Sequence, residues 1–155
     1  MSIDAFVAGI QNQDLRIPLS EYDAVRRFTM TRIGDEGAKD PDQSPFDRYV
    51  DLWWAALCIG AQENKRTTPA KWHTFVRAGE VLPSNPWRIF QLELLGLGFT
   101  GSPEILRQPA ALITLANELA ATGLPLLIEV MVGKSIPIWA VTDFLKDRAI
   151  NPIHY

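Results

Sequence analysis

Residues Ser44 to Arg66 read SPFDRYVDLWWAALCIGAQENKR. Ser44-Pro45 joins a side chain that can cap orphan backbone N–H groups to a residue that needs no N–H of its own, which is how helices begin. Phe46, Tyr49, Val50, Trp53 and Leu57 then recur at i, i+3, i+4 and i+7 and make one apolar stripe. Asp47, Asp51, Trp54 and Cys58 fall on a second stripe. Lys65 and Arg66 close the segment, where cations ease the helix macrodipole by about 0.3–1 kcal/mol. The spacing predicts a helix over 45–62 that needs cover on two sides. That cover is either the rest of the domain, wrapped around a central helix, or another chain docked on the Trp54 face. Exposing a tryptophan forfeits about 1.5–3 kcal/mol relative to burying it.

The rest of the chain is punctuated in the same way. Thr68-Pro69, Asn85-Pro86 and Ser102-Pro103 repeat the cap-plus-proline pair ahead of apolar-rich segments. Ser20 with Asp23 resembles a capping box. Helices are predicted near 19–31, 45–62, 69–81, 86–96, 102–107, 109–122, 125–132 and 136–148, with a polar loop over 33–44. Leu124–Val132, LPLLIEVMV, lies between Gly123 and Gly133 and would suit a buried strand. Helix is preferred there, because a lone strand has no ladder partner. The fold expected is all-α: a compact single-domain bundle of about six to eight short helices around the central helix near 45–62. Residues 1–17 would be an arm or loose helix, 18–148 the helical domain and 149–155 a tail.

Length and composition agree with that class. A chain of 155 residues fits one domain that buries roughly 70% of its unfolded surface. Apolar residues make up 47% and charged residues 21%, so the chain can build a core without staples. A net charge of -3 gives no general attraction to nucleic acid or anionic membrane. The single cysteine, Cys58, has no internal partner, which points to a reducing cytoplasm. Asp4 stands where a signal peptide carries basic residues. Apolar runs of about eight residues fall short of the ~20 that cross a bilayer, so no membrane is expected.

Several motifs look like chemistry. Gly96-Leu97-Gly98-Phe99-Thr100-Gly101 matches GxGxxG, but a helix rather than a strand precedes it and Pro103 falls inside the helix it requires. It reads as a helix exit followed by a new cap at Ser102. Gly133-Lys134-Ser135 lacks the glycine a phosphate loop needs at Ile128, and reads as a turn with a solvated lysine. His73 and His154 have no partners at metal-ligand spacing. Cys58, within Ala56-Leu57-Cys58-Ile59, is expected to be buried and inert. No cofactor is implied. An enzyme would have to assemble its site from distant carboxylates such as Glu80, Glu93, Glu118 and Glu129 together with His73.

Asn64–His73 is the richer stretch. Lys65, Arg66 and Lys71 gather with Trp72, and Arg77 follows on the helix expected over 69–81. These side chains and that helix's N-terminus could hold a phosphate, although two or three such contacts bind only weakly and with strong salt dependence. Capping and solvation are the plainer account of the same residues. The candidate binding residues are therefore Trp54, Lys65, Arg66, Lys71, Trp72 and Arg77, chosen because Trp, Tyr and Arg anchor interfaces.

Pro45-Phe46, Asp51, Ala55-Ala56, Gly60 and Lys65-Arg66 together resemble a block in small proteins encoded beside bacterial DNA-phosphorothioation (Dnd) systems, the group called Dnd system-associated protein 4. Leu115–Leu127, LANELAATGLPLL, is similar to that group's helix ending in Ala, Gly and Leu. The resemblance covers residues 44–130 and departs from the group at Trp53-Trp54, where the group has aliphatics. It implies a helical accessory factor in antiphage defence and transfers no catalytic residue. The function expected is a non-enzymatic interaction subunit of a prokaryotic complex, in defence or DNA processing. Its partner would be a protein, with nucleic acid contacted directly or through that protein, and self-association left open. A small nucleic-acid-binding module using the basic segment 65–77 is the alternative.

Overall fold

A computed structural model of the chain describes residues 3–31 and 39–150. Its elements in order are α1 (Ile3–Ile10), β1 (Asp14–Pro18), α2 (Tyr22–Arg27), α3 (Tyr49–Gln62), β2 (Trp72–Arg77), α4 (Ala78–Val81), α5 (Pro86–Thr100), α6 (Pro109–Met131) and α7 (Pro137–Ile150). A short 3-10 turn precedes α2 at Leu19–Glu21, and another precedes α6 at Pro103–Arg107. The chain is mostly helical, but it is not all-α: β1 and β2 form an antiparallel two-stranded sheet.

That sheet replaces two expectations. Residues 69–81 do not form one helix, and Thr68-Pro69 starts none. Residues 72–77, WHTFVR, carry two aromatics and two β-branched side chains, which favour a pleated, half-buried surface. Their partner, DLRIP, begins at Asp14, and all of it but Pro18 lies within the segment expected to be an arm. Asp14 pairs with Arg77, Leu15 with Val76, Arg16 with Thr74, Ile17 with His73 and Pro18 with Trp72. Phe75 is the extra residue of a bulge opposite Leu15 and Arg16. Leu15 and Ile17 of β1 are buried. The arm is therefore structural, and α1 adds buried Phe6 and Ile10 to the same core.

α3 and α6 make the most extensive packing in the molecule. They meet backbone to backbone. A Cβ on Gly60 would overlap the Leu119 carbonyl oxygen and lie 2.6 Å from its carbon; one on Gly123 would overlap the Ala56 carbonyl oxygen. Gly123 is thus a contact residue and not a helix terminator. The predicted helices 109–122 and 125–132 are one helix of 23 residues with Pro125 inside it. An internal proline costs about 3 kcal/mol, offset here by burial of Leu124, Leu127, Ile128 and Met131 around it. α6 is long and apolar enough to cross a membrane by length and composition, but 67% of its apolar stretch is buried inside the fold. Its role here is that of a core helix.

The start of α3 also differs. The Ser44 hydroxyl donates to the Arg27 carbonyl at 2.7 Å and does not cap. Phe46 bridges to Thr29, so the helix begins at Tyr49, with the Arg48 amide donating to Asp51 Oδ2 at 3.2 Å. By contrast α5 starts at Pro86 and Ser102 accepts from the Glu104 amide, both as expected. Of the loop expected over 33–44, residues 33–38 lie outside the described residues, as does His154.

Candidate interaction surface

α5 is apolar nearly all the way round: PWRIFQLELLGLGFT holds only Arg88 and Glu93 as charges. A helix can bury one stripe in its own domain, so the surplus must face outward. Arg88, Ile89, Leu92 and Gly96 turn inward and are buried. Trp87, Phe90 and Leu94 turn outward, exposed to 48%, 50% and 67%. At 3.6 residues per turn, the outward arc runs from Leu97 through Phe90, Leu94, Trp87, Gly98 and Gln91 to Leu95. No charge lies on it.

One end of the arc is built on α3. The Trp54 and Trp87 rings meet edge to face with centroids 5.9 Å apart. The Arg88 guanidinium lies 5.2 Å from the Trp54 ring centre and 5.3 Å from that of Trp87. It also donates to Asp51 Oδ1 at 3.0 Å. A buried charge needs such company, because leaving it unpaired is costly. The cluster fixes Trp87 in place and leaves half its surface open. At the other end lies an open groove of about 540 Å³ lined by Ala61, Asn64, Gln91, Leu94, Leu95, Gly98 and Phe99. A Cβ on Gly98 would have nothing within 4 Å.

Cys58 lies on the outer side of α3, one turn beyond Trp54, and is exposed rather than buried as its sequence neighbours suggest. Its surroundings are crowded all the same. Burial pushes the thiol above 9.0, and the Arg88 charge partly opposes this. A thiol held protonated is a poor nucleophile at neutral pH.

The basic segment does not assemble into one patch. Arg66 Nε donates to Glu118 Oε2 at 2.7 Å, so its charge is matched. Lys65 holds its carbonyl to the Thr122 hydroxyl at 2.8 Å and is exposed. Lys71 is exposed beside β2, its carbonyl accepting from the Leu19 amide at 3.0 Å. Trp72 is half-buried under Arg16, whose guanidinium lies 5.3 Å from the ring centre. Arg77 is exposed at the far end of β2, about 17 Å from Trp72 at strand rise. With residues 69–77 not helical, the helix N-terminus expected beside Lys71 is absent. His73 stacks on Tyr22 with ring centroids 4.0 Å apart. Among the described residues, no three His, Cys, Asp or Glu side chains converge as a metal site would need.

Of the expected binding residues, only Trp54 belongs to the surface that stands out. Trp87, Phe90 and Leu94 were not singled out by sequence. Their signal was nevertheless present, since a 15-residue helix with two charges has more apolar side chains than one face can bury. No family model matches the chain, and neither does any curated protein or solved structure.

Proposed function

We propose that this chain is a non-enzymatic interaction subunit of a prokaryotic complex, docking through the outer face of α5. The observation that carries this is the uncharged arc centred on Leu94, two-thirds exposed, between half-exposed Trp87 and Phe90. Contiguous apolar patches rimmed by polar surface mark binding sites, and aromatic side chains with few charges typify interface centres. The resemblance of residues 44–130 to the Dnd system-associated protein 4 group supports antiphage defence or DNA processing as the setting. A nucleic-acid module using Lys65, Arg66, Lys71 and Arg77 has less support, because Arg66 is paired with Glu118 and the other cations are spread along two segments.

The test is affinity capture of the tagged chain from its own host, comparing wild type with Leu94→Glu. Leu94 makes little of the core, so the variant should unfold cooperatively at an unchanged temperature. Loss of the co-purifying protein from the variant is the expected result. Identical capture by both chains refutes docking through α5.

A further inference from the structure

We propose that the open edge of β2 takes up an extended peptide as a third, antiparallel strand, the peptide carrying an apolar residue between acidic ends. This surface shares no residue with the outer face of α5, so the two readings stand or fall separately.

The two edges of the sheet are treated differently. The Leu19 amide donates to the Lys71 carbonyl and the Ala78 amide to that of Gln13, which fixes the alternation of the ladder. His73 and Val76 therefore turn their backbone groups toward β1, while Trp72 and Thr74 turn theirs away. On the far side of β1, Arg16 and Asp14 also turn away, and buried Asn117 serves both, accepting from the Arg16 amide and donating to the Asp14 carbonyl. Trp72 and Thr74 have no such provision: among the described residues, no hydrogen bond reaches their amides or carbonyls. Thr74 is exposed. A row of open donors and acceptors at strand spacing is matched by another extended backbone.

Next to this edge lies an apolar pocket of about 190 Å³, lined by Arg48, Tyr49, Val50, Phe75, Val76 and Val81. β1 contributes nothing to it, so it opens beside β2 and not beneath the pair. It is smaller than the about 300–1,000 Å³ of a site for a whole small molecule, and it suits one side chain of an added strand. Charge then selects the occupant. Lys71 and Arg77 are exposed at the two ends of the edge, and neither forms an ion pair among the described residues. A second copy paired antiparallel about Thr74 would set Lys71 against the partner's Arg77, like charge facing like charge. A peptide with acidic ends sets opposite charges there.

The probe is acetyl-Glu-Leu-Thr-Val-Tyr-Glu-amide, its Leu placed to meet the pocket at Val76 and its two Glu to meet Arg77 and Lys71. Fluorescence anisotropy of the labelled peptide should saturate against the full chain below about 500 µM. The same peptide N-methylated at Thr and Tyr keeps every side chain but loses two backbone donors, and should bind about tenfold more weakly. Thr74→Pro removes an N–H that β1 does not use, so the variant should unfold cooperatively and bind the peptide at least about fivefold more weakly. If that variant does not fold, the methylated peptide decides alone. Replacing both peptide Glu by Lys should abolish saturation, and Leu94→Glu in the chain should leave binding unchanged. Failure of the first peptide to saturate overturns the proposal, as does equal binding by its methylated form. Loss of binding on Leu94→Glu would place the peptide on α5 and also overturn it. Self-association in sedimentation that Thr74→Pro abolishes would assign the edge to a second copy and overturn the peptide reading.

Discussion

Replacing Gly123 by alanine adds one methyl group at the point where α3 and α6 touch. In an open helix that change stabilises, since alanine exceeds glycine by about 1 kcal/mol in helix propensity. Here the new Cβ would overlap the Ala56 carbonyl oxygen and lie 2.8 Å from both the Ala56 carbonyl carbon and the Gly60 amide nitrogen. All three are backbone atoms on a helix, and none can swing aside as a side chain would. Relief requires α3 and α6 to part by roughly 1 Å, a gap that forfeits up to about half of each affected dispersion contact. Overpacking against rigid backbone costs about 3 kcal/mol. After the propensity gain, a net loss of about 2 kcal/mol remains, which lowers Tm by about 4–8 °C for a chain this long. Gly98→Ala is the matched control: also helical, with nothing within 4 Å of the added Cβ. It should raise Tm by about 2–4 °C. Thermal and urea unfolding at low protein concentration reads both. Equal stabilisation by the two variants would refute the backbone contact between α3 and α6.

Asn117 is buried in α6 and clamps β1, its Oδ1 accepting from the Arg16 amide at 2.8 Å and its Nδ2 donating to the Asp14 carbonyl at 2.9 Å. Asn117→Leu should cost about 1–3 kcal/mol by stranding those groups, and hydrogen exchange should show the Arg16 amide losing protection; unchanged protection contradicts the clamp. Arg88→Met keeps bulk but removes the charge between Trp54, Trp87 and Asp51, and should cost about 1–3 kcal/mol, discounted because Asp51 is partly open to solvent. A loss too small to resolve by urea unfolding would mean that the cation adds nothing. Alkylation of Cys58 should still be accelerating with pH beyond 9.0, since burial raises its thiol. The folded state holds that proton more tightly than the unfolded chain, so the thiol's contribution to stability is present below pH 9.0 and fades as pH rises through the folded value. A labelling rate that plateaus near pH 8 contradicts the raised thiol.

The helical bulk of this protein was legible from local residue signals alone. Caps, prolines and i, i+3, i+4 spacing are local signals, because a helix satisfies its own backbone within four residues. Asn85-Pro86, Ser102-Pro103 and the Trp53–Leu57 stripe were legible for that reason. The strand at 72–77 was not, because its hydrogen bonds go to residues 14–18, far away in the chain. Nor was the continuity of α6, where Gly123 and Pro125 read locally as a break and only close approach by α3 explains the glycine. The candidate surface divides in the same way. The surplus of apolar side chains on α5 was written in its composition, but which of them face water depended on where α3 and α6 sit. Tertiary packing covered Ile89 and Leu92 and left Trp87, Phe90 and Leu94 bare. It also separated Lys71 from Arg77, because nearness in sequence becomes nearness of side chains only when the backbone between them turns back, and along β2 it runs extended.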